Sequence, residues 1–234
     1  MEKRWVTKPG VNQNEVEQLA EILNINNLLA TLLVQRGIKT FDHAKKFFRP
    51  SLQSLYDPFR MKDMNRAIER IEKAIQCNQK ILIYGDYDVD GTTSVAMVYS
   101  FLKKFYSNLD YYIPDRYAEG YGVSYKGINY AAHNKVSLII ALDCGIKAVE
   151  KIEYANSLNI DFIICDHHTP EKSLPNAVAV LDPKRKDCTY PFKELSGCGV
   201  GFKMLQAFSR TNNVEMEELY PFLDLVAVSI ASDI

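Results

Sequence analysis

No apolar stretch of this 234-residue chain approaches the ~20 residues that a membrane-spanning helix needs. The polar opening Met1-Glu2-Lys3-Arg4-Trp5 is not followed by the apolar segment of a signal peptide. The expected compartment is therefore the cytoplasm, with no membrane partner. The five cysteines, Cys77, Cys144, Cys165, Cys188 and Cys198, are odd in number and include no CxxC pair. That excludes a disulfide framework and a zinc ribbon and points to reduced thiols. Internal repeats and low-complexity tracts are absent as well. Excess positive charge is also missing: the formal net charge is -1, so the chain lacks the overall basic footprint common in nucleic-acid binders. The clusters Lys45-Lys46, Lys103-Lys104 and Lys184-Arg185-Lys186 read first as solvated faces. Any grip on nucleic acid must then be local, or come from sequence outside these residues.

What is present is an ordinary globular composition, 47% hydrophobic and 24% charged. Val16, Leu19, Ile22 and Leu23 recur at helical spacing, as do Leu28, Leu29, Leu32 and Leu33, and Gly37 reads as a helix stop. Thr40 is placed to cap a short helix through Phe47-Phe48 that Pro50 ends. Met64, Ala67, Ile68, Ile71 and Ile75 form a further amphipathic pattern leading into the first strand. Beyond it, candidate strands 80-85, 109-113, 137-142, 160-165 and 177-181 alternate with candidate helices 92-106, 124-134, 146-158, 198-210 and 216-232. This alternation implies right-handed crossovers and an α/β fold with a doubly wound, mostly parallel sheet. The expected organisation is a helical N-terminal unit over 1-60 and a metal-binding catalytic domain over 61-234. The ending Ser232-Asp233-Ile234 has neither a C-cap glycine nor a charged tail, and the domain is expected to be cut there.

Acids and imidazoles gather at the ends of the apolar runs. Asp86, Asp88 and Asp90 follow Ile81-Leu82-Ile83-Tyr84-Gly85, Asp143 follows Leu138-Ile139-Ile140-Ala141-Leu142, and Asp166-His167-His168 follows Phe162-Ile163-Ile164-Cys165. Short, continuously apolar runs rich in β-branched residues read as strands buried on both faces. Groups just past the carboxyl ends of such strands converge on one crevice. Oxygen-rich ligands with some imidazole suit manganese or magnesium, and paired ions of this kind cleave phosphoesters. Asp86-Tyr87-Asp88-Val89-Asp90-Gly91 also matches the opening of an EF-hand loop. Position twelve of that loop would be Met97 rather than Glu, and a strand precedes it, which disfavours calcium. A strand-to-helix turn remains, in which Gly91 permits close backbone approach and Thr92, Thr93 and Ser94 begin a helix whose free N–H groups suit an anionic oxygen.

The set GDYDVDGTTS at 85-94, ALDCG at 141-145, DHH at 166-168 and Ala231-Ser232-Asp233 resembles the DHH phosphoesterase superfamily. Asp57-Pro58-Phe59, Ile113-Pro114-Asp115-Arg116 with Gly120-Tyr121-Gly122, Leu181-Asp182-Pro183 and the run Leu195 to Lys203 resemble its RecJ-like branch of single-strand-specific exonucleases over nearly the whole chain. The resemblance implies that Asp88, Asp143, His167 and Asp233 hold the tighter metal and that Asp143 bridges to a second ion ligated by Asp86. It implies catalytic roles for His168, Asp90 and Asp166, with His168 on the scissile phosphate, and a substrate phosphate on Arg116. Some DHH pyrophosphatases carry a His where Leu82 stands, so the second site here is one ligand poorer.

The function so implied is hydrolysis of single-stranded DNA from its 5′ end with two Mn2+ or Mg2+ ions, in repair or recombination. Single-strand-binding protein or a helicase would be its protein partners. The rivals are a phosphodiesterase of short oligonucleotides or cyclic dinucleotides, and a non-catalytic scaffold, which would have lost metal ligands. No aromatic stacking platform is evident, and the second lobe and OB-fold of RecJ-like proteins do not appear in these residues, so weak or no cleavage by the 234 residues alone is expected.

Overall fold

Five strands form one parallel sheet in the order β2-β1-β3-β4-β5: Lys80–Gly85 (β1), Leu109–Tyr112 (β2), Val136–Leu142 (β3), Asp161–Cys165 (β4) and Ala179–Leu181 (β5). A computed structural model of the chain describes residues 4, 6 and 10–233. These divide into two compact units, the first ending at Leu55 and the second beginning at Tyr56.

In the first unit, Gln13–Leu23 (α1), Asn27–Val34 (α2) and Phe41–Phe48 (α3) are capped by the side chains of Asn12, Asn26 and Thr40. Val16, Leu19, Ala30, Leu33, Val34 and Ala44 form its core. The leucine stripe of α2 is only partly used, because Leu33 is buried while Leu28, Leu29 and Leu32 are exposed.

The second unit starts at Tyr56 for identifiable reasons. The Lys203 ammonium donates to the Tyr56 carbonyl, Arg210 pairs with Asp57 at 3.0 Å, and Pro58 is buried. Alternate residues of each strand serve opposite faces, as the pleat requires. Ile81, Ile83, Leu138, Ile140, Leu142 and Ile163 meet Met64–Gln76 (α4), Val89–Leu102 (α5) and Gly197–Thr211 (α8). Leu82, Tyr84, Ile139, Ala141, Phe162 and Ile164 meet Tyr125–His133 (α6) and Val149–Ser157 (α7). The sheet is thus doubly wound, and its order reverses between β1 and β3, which is where ligands enter such folds.

Element ends depart from expectation where side chains intervene. α5 starts at Val89 rather than 92, because Asp88 caps it by accepting the Gly91 N–H at 2.9 Å. The helix start expected to receive a ligand oxygen is therefore occupied by a carboxylate of this chain. α7 starts at Val149 rather than 146, since the Ile146 N–H is taken by Asp166 at 2.9 Å. The helix expected over 216-232 divides after Phe222, one residue past Pro221, into a 3-10 helix over Met216–Phe222 and Leu223–Ser232 (α9).

Candidate metal centre

The turn after β1 brings Asp86 and Asp88 to the carboxyl edge of the sheet, where Asp86 is fully buried and accepts the Gly122 N–H at 3.0 Å through Oδ1. Its Oδ2 is buried with no hydrogen-bond partner. Burial, partly offset by the Gly122 and Tyr87 N–H groups, raises this carboxyl above its ordinary range. Gly91 is required for that turn, because a Cβ there would lie 2.4 Å from the Asp86 carbonyl oxygen.

Asp143 ends β3 in a left-handed conformation, φ 58°, and is buried. Its Oδ1 accepts no hydrogen bond yet stands 3.1 Å from His167 Nε2. Burial first, then the charges of Asp90, Asp88 and Asp166, push the Asp143 carboxyl up to about 10. A buried carboxylate facing other carboxylates is costly without a cation. The start of α8 presses against it: a Cβ on Gly197 would lie 2.5 Å from Asp143 Cβ and 2.7 Å from its Oδ1.

After β4 the adjacent imidazoles separate. His167 is buried, with Nε2 toward Asp143 and Nδ1 3.5 Å from Asp233 Oδ2 at the end of α9. His168 places Nδ1 2.7 Å from Asp166 Oδ1 and Nε2 3.1 Å from the Tyr121 hydroxyl. Because a carboxylate can only accept, Nδ1 carries the proton. The Asp166 hydrogen bond raises the His168 pKa, against burial. Burial would raise Asp166 in turn, but the His168 side chain and the Ile146 N–H outweigh it and hold the carboxyl below its ordinary range.

Ligand atoms of Asp143, His167 and His168 lie within 4.8 Å of one another, as do those of Asp90, His167 and Asp233. Existing bonds sort them. Both ring nitrogens of His168 have protein partners. Asp90 is occupied too: its Oδ2 accepts from the Gly197 N–H at 2.6 Å, and its Oδ1 accepts from the Cys198 N–H and the Ser229 hydroxyl, each at 2.7 Å. Asp166 spends Oδ1 on both histidines and Oδ2 on Ile146. Asp88, Asp143, His167 and Asp233 line one cavity of about 300 Å³ and retain free oxygen or nitrogen capacity. With the unpaired Oδ1 of Asp143, this donor set fits a hard divalent ion, whereas Asp86, whose Oδ2 is also unpaired, does not line that cavity. Leu82, where some DHH pyrophosphatases have a His, is fully buried in the core under α6 and α7.

Arg116 is exposed, with its guanidinium 5.3 Å from the centre of the Tyr87 ring. Tyr87 meets Tyr121 edge-on at 6.2 Å, and Tyr121 meets His168 at 6.0 Å. Tyr87 and Tyr121 come from two loops 34 positions apart (121 minus 87), so this edge-on contact has no local pattern in the sequence. Tyr121 is the site residue that motif reasoning left without a role. Its signal was the pair of flanking glycines, Gly120 and Gly122, both in left-handed conformation. Burial and the Asp143, Asp86 and Asp166 charges push the Tyr121 phenol far up, so it remains a proton donor. Asp182, past β5, is a further buried carboxyl with an unpaired Oδ2, pushed up to about 6 by burial.

A parallel sheet with this donor set at its switch point offers a candidate centre for a divalent cation. The chain belongs to the DHH family: residues 80–230 match its N-terminal domain. It is similar to the single-stranded-DNA-specific exonuclease RecJ of Bacillus subtilis (strain 168), at 42% identity over 99% of this chain and 28% of that protein. A crystal structure of exonuclease RecJ bound to manganese matches 74% of this chain and 44% of its own at 28% identity, TM-score 0.67. A RecJ structure from Thermus thermophilus in complex with Mn2+ shares the fold over 95% of this chain and 31% of its own, TM-score 0.76 at 23% identity. The chain thus spans less than a third of the Bacillus subtilis relative.

Proposed function

We propose that this chain carries the metal-binding half of a single-strand-specific DNA exonuclease that removes nucleotides from 5′ ends, with Mn2+ or Mg2+ as its ions. The observation that carries this reading is the unpaired Asp143 Oδ1, buried among carboxylates and 3.1 Å from His167. The relative named RecJ at 42% identity, and the manganese in a RecJ structure at 28%, support it. Asp88, Asp143, His167 and Asp233 would hold the first ion and Asp86, with Asp143, the second. When bound, such ions activate water and neutralise phosphoryl charge.

The chain's own residues then divide the work. Asp166 fixes the His168 ring by accepting a hydrogen bond from Nδ1–H and favours the doubly protonated imidazolium, whose Nε2–H would donate to a non-bridging phosphate oxygen in place of its present contact with Tyr121. The Tyr121 phenol stays protonated and donates to the same region. Asp90 is assigned a positioning role, since it ties the start of α5 to Gly197 and Cys198 at the start of α8. Arg116, stacked on Tyr87, is assigned a phosphate of the incoming strand. A scaffold without catalysis is disfavoured because, apart from the His position taken by Leu82, no expected ligand has been replaced. A role in repair or recombination, with single-strand-binding protein or a helicase as partner, follows from the same reading.

The test is release of 5′-mononucleotides from a 5′-phosphorylated single strand in the presence of manganese, compared between this chain and its Asp143→Asn variant. Slow release by the former and its loss in the latter are expected. Equal measurable rates, or no release together with no saturable manganese binding by either, would overturn the reading.

A further inference from the structure

The sign of charge reverses across His168. On one side lies the acidic cavity with Asp88, Asp143 and Asp233. On the other, a second cavity of about 170 Å³ is bounded by His168 and Tyr121, by Val123 and Ile146, and by Lys147 and Lys151 of the β3–α7 connection and first turn. The one carboxylate in its wall, Asp166, has both oxygens taken by the two histidines and Ile146. Neither lysine has an ion pair or hydrogen bond among the described residues, whereas Lys80, Lys104 and Lys126 each pair with a carboxylate. Lys147 is exposed and Lys151 half-buried, so both ammonium groups can reach an occupant while staying hydrated without one. The rest of the wall is apolar and aromatic.

We infer that this second cavity is a subsite for the phosphate next to the scissile one, held by Lys147 and Lys151 with its sugar against Tyr121 and Val123. The inference rests on reading the acidic cavity as a phosphoester site. A strand with one phosphate at His168 is a continuous polyanion, and its neighbouring phosphate must leave the acidic cavity for somewhere cationic. Through the shared His168 wall, the two unpaired ammonium groups supply that place. Arg116, over the Tyr87 ring, does not line this cavity.

The experiment is calorimetric binding of thymidine 3′,5′-bisphosphate, thymidine 5′-monophosphate and thymidine 3′-monophosphate to the chain with Mg2+. It compares the wild type, a Lys147→Gln/Lys151→Gln variant, and Lys45→Gln/Lys46→Gln, which removes the same charge from α3. Two charge-assisted contacts should make the bisphosphate bind about tenfold tighter than either monophosphate. That gain should vanish in the 147/151 variant and persist in the 45/46 variant. The monophosphate that the 147/151 variant loses identifies the side, 5′ or 3′, on which the subsite lies. Absence of a bisphosphate gain in the wild type, or its persistence in the 147/151 variant, would overturn the subsite. Monophosphate binding that ignores Mg2+ would instead count against the proposed function.

Discussion

His168 Nδ1 lies 2.7 Å from Asp166 Oδ1, while the ring of His167, one residue earlier, is turned to Asp143 and Asp233. Consecutive residues leaving a strand point in different directions, so on the proposed reading the neighbouring imidazoles serve separate tasks. His168→Ala should therefore lower turnover by about 100-fold or more while leaving manganese affinity within a few-fold. His167→Ala should lower both. Parallel loss of manganese affinity in the two variants, measured by calorimetry, would contradict the division.

Asp90 satisfies two N–H groups at the start of α8 and the Ser229 hydroxyl of α9. Asp90→Ala should cost about 2–5 kcal/mol of stability, because two buried donors lose their acceptor. Asp88→Ala removes one cap bond and should cost about 1 kcal/mol. Urea midpoints of the two variants check the order, and a reversed order would remove Asp90 from its positioning role.

Gly197→Ala should weaken manganese binding although Gly197 supplies no ligand atom. Its Cβ would fall 2.5 Å from Asp143 Cβ, so the carboxylate or the start of α8 must move. Gly199→Ala meets only Leu195 and Ser196 side-chain atoms at 3.3–3.5 Å and should bind manganese normally. Equal affinities for the two variants would show that Asp143 is not held in place by α8.

Lys203 is buried in α8, beside the Tyr56 carbonyl and Gln206, with Arg210 in the same region. Burial first, then Arg210, lowers its pKa to about 8, against the pull of Asp57. The unfolded chain binds this proton up to its ordinary value near 10.5, so between about 8 and 10.5 the unfolded state holds more protons and the group's contribution to stability rises with pH. Lys203→Met should remove that rise. Urea unfolding at pH 7.5 and 9.5 should show a smaller pH-dependent gain in the variant than in the wild type, and identical gains would place the lysine's ionisation elsewhere.

Much of this arrangement was legible because β-branched runs and the acids that end them are local patterns. The ends of β1, β3 and β4 with Asp86, Asp143 and Asp166 fell where the runs stop, since a buried parallel strand cannot carry a carboxylate in its interior. What could not be read depends on contacts distant in sequence. The Asp90 bonds reach to Gly197, Cys198 and Ser229, so the third motif aspartate gave no local sign that its oxygens are occupied. Tyr121 meets His168 only through the folded loop after β2. Leu28, Leu29 and Leu32 fit a buried stripe by spacing, yet α2 is short and its core contacts come from Ala30, Leu33 and Val34. Pro221, plain in the sequence, was overridden in reading one helix over 216-232, and the chain breaks there as proline sterics require.

The central claim is that Asp143 is unpaired because it belongs to a metal centre with Asp88, His167 and Asp233. Calorimetric titration of manganese into the chain and its Asp143→Asn variant tests this most directly, since the amide keeps the shape and removes the charge. Saturable binding to the wild type, weakened at least 100-fold in the variant, is the expected result. Indistinguishable titrations, or no binding to either, would contradict it.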